Sequence, residues 1–274
     1  MPEKKKPRVD AAALSKARSG EALPSFSEEA VTAILDHLKE QFPEAGCELV
    51  FADHFQLLVA VVLSAQTTDK SVNRVTPALF EKYPNAFAMA RAGETEAEAQ
   101  GLDLSSLTAD ELLELGVLAI SEIIRSIGMY RGKAKNLIRL SAELAAQYGG
   151  NVPDDYDQLT ALPGVGRKTA NVVLSVGFGH QRIAVDTHVF RVASRIGLAP
   201  DKDVLTTENA LMALLPENRW SEAHHSLLFL GRYCCTARKP DCESCRITQY
   251  CREFRAKQVE GRTTKGETAK GATK

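Results

Sequence analysis

Five of the six cysteines in this 274-residue chain, Cys234, Cys235, Cys242, Cys245 and Cys251, fall within 18 residues, while Cys47 stands alone. A secreted disulfide framework spreads its cysteines along the chain. This crowding points instead to a metal site in a reducing compartment. Four thiolates at such spacing suit a zinc ion and an iron–sulfur cluster about equally well. Cys47 reads most simply as a small buried hydrophobe.

A second group is the run Leu162-Pro163-Gly164-Val165-Gly166-Arg167-Lys168-Thr169-Ala170, followed by the apolar helix face of Val172, Val173, Leu174 and Val176. Pro163-Gly164 makes a tight turn, and Gly166 stands where the helix begins. Glycines there let backbone N–H groups approach an anion closely at the positive end of a helix. The run is not a P-loop, in which Gly directly precedes Lys-Ser/Thr; here Arg167 precedes Lys168. A Pro-Gly-x-Gly turn running straight into an apolar helix is the hairpin of a helix-hairpin-helix element, which holds a DNA phosphate without reading sequence.

Lys168 lies in the first turn of that helix. By default such a lysine is a solvated surface residue. The sharper reading makes it a nucleophile, because the helix N-terminus and Arg167 both disfavour an ammonium ion, and partial burial lowers the amine pKa further. A neutral amine is what attack on a sugar carbon requires. Asp186 follows Ile183-Ala184-Val185 and precedes a helix face of Val189, Val192 and Ile196, the position of a helix cap.

The elements that must position these residues are helical. Ser27 precedes Glu28, Glu29 and the stripe Val31, Ile34, Leu35 and Leu38, a capped helix start. Period-3.6 patterns predict further helices over 55–63, 69–82, 108–115, 119–127, 132–148, 167–177, 187–196, 203–214 and 218–232. Turn residues separate them at 43–46, 84–85, 149–151 and 198–201. The run 55–63 (FQLLVAVVL) is apolar enough for a buried strand, but its length and surroundings favour helix. The expected fold class is all-α, without an internal repeat.

The formal net charge is −1, a balance that argues against a nucleic-acid binder if taken alone. Read along the chain, it is a sum of opposed segments. The first 20 residues hold six Lys/Arg against Glu3 and Asp10, and residues 252–274 hold seven Lys/Arg against three Glu. Both read as disordered basic arms. Residues 92–117 carry seven acidic groups and no Lys or Arg; setting that −7 apart leaves +6 elsewhere. No apolar run approaches the ~20 residues of a membrane helix, and no apolar stretch follows the N-terminal charges, so neither a spanning segment nor a secretory signal is expected.

Three motifs in order, the 162–168 run, Val185-Asp186-Thr187-His188, and Cys235-x6-Cys242-x2-Cys245-x5-Cys251, resemble the endonuclease III family of DNA glycosylases. The resemblance runs from about residue 27 to residue 255 and leaves out both tails and the acidic stretch, which reads as a tolerated insertion. It implies two helical lobes around a DNA cleft. One lobe is expected over 47–180, with six helices and the hairpin; the other combines 26–46 with 181–255 and carries the cysteines. The arms are then 1–25 and 256–274.

The resemblance also implies a chemistry. A damaged base is flipped from the duplex, Lys168 attacks C1′, and Asp186, facing it across the cleft, stabilises the developing positive charge and assists proton transfer. The resulting Schiff base allows β-elimination 3′ to the lesion. Gln66, in Leu63-Ser64-Ala65-Gln66-Thr67-Thr68-Asp69, matches the family's inserted glutamine. Met129, in Ile127-Gly128-Met129-Tyr130, matches a second insertion loop where many relatives have leucine. Gly164, Gly166, Arg167, Arg238 and Lys239 are the other expected DNA contacts.

The same resemblance makes Cys235, Cys242, Cys245 and Cys251 the ligands of a [4Fe–4S] cluster, with Cys234 spare, and gives the cluster the role of shaping the 236–241 loop. The expected partner is duplex DNA carrying oxidised pyrimidines, other damaged bases or abasic sites, bound by a monomer. The expected location is a bacterial cytoplasm at the nucleoid, or a nucleus if the Lys-rich N-terminus is an address in a eukaryote. Two alternatives are weighed. Adenine glycosylases of the superfamily lack the lysine found at 168, and a non-enzymatic, zinc-stabilised DNA-binding module needs no lysine–aspartate pair.

Overall fold

The computed structural model describes residues 26–258. The arm expected over 1–25, and the tail expected over 256–274 apart from its first three residues, lie outside the described residues. Those three continue a helical turn that begins at residue 252. Among the described residues the chain is helical, with no strand. It divides into two units, Cys47–His180 and a discontinuous one made of the residues up to Gly46 together with those from Gln181 onward.

Helix α1 (Glu28–Gln41) precedes the Cys47–His180 unit, and α2 (His54–Leu63), α3 (Asp69–Lys82), α4 (Ala86–Ala90), α5 (Ala92–Ala99), α6 (Ala109–Ile124), α7 (Tyr130–Tyr148), α8 (Tyr156–Ala161) and α9 (Arg167–Phe178) lie within it. These are eight α-helical segments instead of the six expected: 86–90, 92–99 and 156–161 add three short helices, and the two expected over 108–115 and 119–127 are one. Asp53 caps α2 by accepting from the Gln56 amide at 2.8 Å, which settles the FQLLVAVVL run as a helix. Apolar on every side, α2 forms the buried centre of the unit. Leu57, Leu58, Ala60 and Leu63 are fully buried against side chains such as Leu79, Ile120, Leu137 and Leu174. Each such leucine contributes about 1.5–3 kcal/mol of burial.

The acidic stretch is not a loose addition to this unit. Helix α5 buries Ala92, Gly93 and Ala97, while its glutamates Glu94, Glu96 and Glu98 all remain at least partly exposed. A capping box of Thr108 and Glu111 starts α6. Helices were expected over 108–115 and 119–127, yet α6 runs unbroken across the gap between them, through Gly116. The reason is packing: a Cβ on Gly116 would lie 2.8 Å from the Gly93 nitrogen, and one on Gly93 would lie 1.8 Å from the Leu112 carbonyl oxygen. The two glycines are where α5 and α6 touch backbone to backbone.

The discontinuous unit contains α1, α10 (Thr187–Ile196), α11 (Val204–Leu214) and α12 (Trp220–Phe229), followed by a π-helical turn, Leu230–Cys234. The α1 stripe of Val31, Ile34, Leu35 and Leu38 packs into one core with Val189, Val192 and Ile196 of α10 and Leu227 of α12. Ion pairs tie α1 to the start of α12, with Arg219 reaching Asp36 at 2.7 Å and Lys39 reaching Glu222 at 2.8 Å. The π turn delivers the chain into the cysteine loop.

Candidate functional site

Within the Cys47–His180 unit, the hairpin and the lysine stand at the head of α9. Leu162 and Val165 are buried and anchor the turn, while Gly164, Gly166, Arg167 and Lys168 are exposed. Gly164 adopts φ +79°, a left-handed conformation that disfavours a side chain. Gly166 is the N-cap, with extended backbone and no side chain to satisfy the first amides of α9. A Cβ there would meet no protein atom within 4 Å. Among the described residues nothing crowds position 166, and its lack of a side chain leaves room for a ligand to approach the backbone at the start of α9. The guanidinium of Arg167 lies 5.9 Å from the centre of the Tyr156 ring, a cation–π distance that fixes its direction. The Lys168 side chain is exposed, so burial does not contribute to its reactivity.

Gln66 and Met129 also belong to this unit, and both are exposed. They share a feature the sequence does not announce. Each has φ 55°, and they are the two non-glycine residues with left-handed backbone among the described residues. Such a conformation costs about 1–2 kcal/mol for a residue with a Cβ. Met129 stands at the N-cap position of α7 with 56% of its surface exposed. Gln66 stands in the turn between α2 and α3.

In the discontinuous unit, Asp186 is half-buried and caps α10, its Oδ1 accepting from the amides of His188 at 2.8 Å and Val189 at 2.9 Å. The cysteine loop follows the π turn. Burial pushes the Cys245 thiol up to about 12, and it raises Cys242 and Cys251 as well, with neighbouring sulfurs adding to the rise. Thiolates gathered this way need positive charge and hydrogen-bond donors. Backbone amides supply donors, from Ile247 to Cys245 and from Glu253 and Phe254 to Cys251.

Arg195 supplies more. Its Nη1 lies 3.4 Å from the Cys235 sulfur and donates to the Thr236 carbonyl at 2.8 Å, and its Nη2 donates to the Ala237 carbonyl at 2.9 Å. It also pairs with Glu253 at 3.1 Å. Four thiols, three of them with N–H donors on their sulfurs, fit an iron–sulfur cluster, whose properties depend on such donors. Among the described residues, no three Cys, His, Asp or Glu side chains converge closely enough to hold one metal ion. Cys234 is buried and turned to the Asp241 carbonyl, 3.1 Å away. Arg238 and Lys239 sit exposed on the loop that Arg195 braces.

Two residues escaped the sequence reading: Arg195, and Lys133, which is 5% exposed. The signal for Lys133 was present. It begins the stripe Lys133, Leu137, Leu140 and Leu144, all buried on α7, a charged residue in an apolar series.

Comparison with known proteins gives consistent matches. The model of the HhH-GPD superfamily base excision DNA repair protein matches residues 59–217, more than half of the chain and through the acidic stretch. The iron–sulfur binding domain of endonuclease III matches residues 235–251, the choice that thiol spacing alone left open against zinc. The chain is 45% identical over 228 residues to endonuclease III of Bacillus subtilis (strain 168), covering 83% of this chain and 94% of that one. It is 44% identical over 224 residues to endonuclease III of Escherichia coli (strain K12), covering 82% and 95%. A structure of a trapped endonuclease III–DNA covalent intermediate superposes with a TM-score of 0.72 at 43% identity, covering 85% of this chain and 100% of that one.

Proposed function

Because the chain belongs to the endonuclease III family within the HhH-GPD superfamily of base excision DNA repair proteins, we infer that Lys168 and Asp186 carry out its reaction on damaged pyrimidines in duplex DNA. The enzyme is a DNA N-glycosylase and abasic-site lyase, and its cofactor is a [4Fe–4S] cluster. The observation that carries our assignment of the nucleophile is the position of Lys168, exposed in the first turn of the helix that the glycine hairpin opens.

The phosphate backbone is held by the hairpin backbone at Gly164 and Gly166 and by Arg167, Arg238 and Lys239, contacts that fix position without reading sequence. The damaged nucleotide leaves the stack, and Gln66 and Met129 take its place in the duplex. The neutral Lys168 amine attacks C1′, forming a C–N bond as the glycosidic bond breaks. The base departs with that electron pair and a proton. Asp186 opposes the positive charge growing on the sugar and helps move the proton. Ring opening gives a Schiff base at C1′, which acidifies the 2′ proton. Loss of that proton expels the 3′ phosphate and cuts the strand, and water then releases the lysine.

Cys235, Cys242, Cys245 and Cys251 hold the cluster, which when bound cross-links the loop bearing Arg238 and Lys239. The steps above transfer no net electrons, so its contribution here is structural. The enzyme works as a monomer on oxidised pyrimidines and abasic sites, in a bacterial cytoplasm at the nucleoid. No helix among the described residues is long and apolar enough to cross a membrane.

Borohydride trapping tests the nucleophile. A duplex containing an oxidised pyrimidine or an abasic site is expected to become covalently joined to the protein, and Lys168→Ala to abolish the adduct. An adduct undiminished in Lys168→Ala would overturn the assignment.

A further inference from the structure

Lys133 is 5% exposed, and lysines are almost never this buried without a specific partner. Its Nζ donates to the Leu63 carbonyl at 2.9 Å and to the Thr67 hydroxyl at 2.8 Å. Those two acceptors bracket Gln66: Leu63 ends α2, and Thr67 immediately follows the glutamine. At its other end, the Lys133 backbone N–H donates to the Met129 carbonyl at 3.0 Å, the first hydrogen bond of α7. One residue therefore joins both turns in which a side chain is held in left-handed backbone.

We propose that Lys133 is a positioning residue that holds the Gln66 turn and the Met129 turn in register, so that the two side chains enter the duplex together. The proposal rests on the reading of Gln66 and Met129 as the inserted residues. Both acceptors are neutral, and burial pulls the amine pKa down, so the interaction is costly to maintain for packing alone. Replacing the amine by an apolar chain of similar length is more easily accommodated by a core than a buried charge. A lysine here spends stability on geometry. Its ammonium can reach two acceptors four residues apart in the sequence and clamp the turn between them, which an apolar side chain cannot do.

The test compares two duplexes in single-turnover kinetics, one carrying 5-hydroxyuracil, an oxidised pyrimidine, and one carrying a preformed abasic site. An abasic nucleotide has no base to unstack and needs less help from inserted side chains. Lys133→Met is expected to slow base excision at least about tenfold while changing abasic-site cleavage less than about threefold. Thr67→Val, which removes one acceptor at nearly constant volume, is expected to shift the ratio of the two rates in the same direction, and it carries the test if Lys133→Met does not fold. Gln66→Ala is expected to show the same selective loss.

If Gln66→Ala is selective while Lys133→Met and Thr67→Val match the wild-type ratio, the positioning role falls and the insertion reading stands. If Gln66→Ala and Met129→Ala both excise at the wild-type rate, the insertion reading falls and this proposal with it. A proportional loss on both substrates in Lys133→Met and Thr67→Val marks a general structural role and overturns the proposal.

Discussion

Asp186 does two jobs that a pair of substitutions separates. Its Oδ1 accepts from two of the amides that open α10, at 2.8 and 2.9 Å, and its charge is assigned to the cationic sugar. Asp186→Ala removes both functions. Loss of such a cap costs about 1 kcal/mol, within a range of about 0.5–2, and lowers Tm by roughly 2–4 °C in a protein of this size. Asp186→Asn keeps an oxygen in place, and asparagine caps as well as aspartate. It gives up only the charge at the helix N-terminus, about 0.3–1 kcal/mol. Against a total stability on the order of 5–15 kcal/mol, neither loss unfolds a measurable fraction of the enzyme at 25 °C.

Loss of charge stabilisation and proton transfer in the transition state is larger, roughly 10²–10⁴-fold in rate, or about 3–5 kcal/mol. Single-turnover excision of an oxidised pyrimidine, alongside thermal unfolding by circular dichroism, therefore distinguishes the two roles. Both variants are expected to lose excision by at least about a hundredfold, and only Asp186→Ala to lose appreciable Tm. Borohydride trapping on a preformed abasic site serves as the control, since no base has to be displaced. Excision by Asp186→Asn within about threefold of wild type would refute the catalytic assignment and leave Asp186 as a cap.

The two hairpin glycines should part company in the same pair of assays. Gly166→Ala places a Cβ in open space on extended backbone, so Tm should stay within about 2 °C while affinity for duplex DNA, measured by anisotropy, falls about tenfold. Gly164→Ala meets φ +79° and the Asn136 side chain at 3.0 Å, and should cost about 1–2 kcal/mol of stability by thermal unfolding. Arg238→Ala and Lys239→Ala should each weaken damaged and undamaged duplex alike. Each should lower the slope of log K against log salt by about 0.9 without altering the cluster's absorbance.

Much of the fold was legible because apolar periodicity and caps are local signals. Ser27, Val189, Val192 and Ile196 do what their spacing says, and the exposed hairpin of Gly164 and Gly166 was visible as a string of turn residues. What escaped depended on partners distant in sequence. Lys133 meets Leu63 from 70 residues away, and Arg195 meets Thr236 from 41; a single-sequence pattern carries neither. Gln66 and Met129 take left-handed backbone without the glycine or asparagine that usually announces it. The gap left between the helices expected over 108–115 and 119–127 closes in the structure because Gly116 admits the Gly93 backbone, a partner more than 20 residues away. Among the acidic charges of 92–117, the small residues Ala92, Gly93 and Ala97 dock that segment into the core, and charge composition does not reveal such a contact.

The discontinuous unit has a consequence for the order in which the chain is made. The apolar stripe of α1 packs on α10 and α12, whose first core residue, Val189, emerges from the ribosome about 150 residues later. At roughly 5–20 residues per second, Val31, Ile34, Leu35 and Leu38 wait about 7–30 s for their neighbours. During that interval the whole of 47–180, with a core of its own, passes out of the ribosome and is free to fold. The waiting helix is the part of the nascent protein most in need of a chaperone, and the last cysteine reaches the solvent only after its arrival can close the second core.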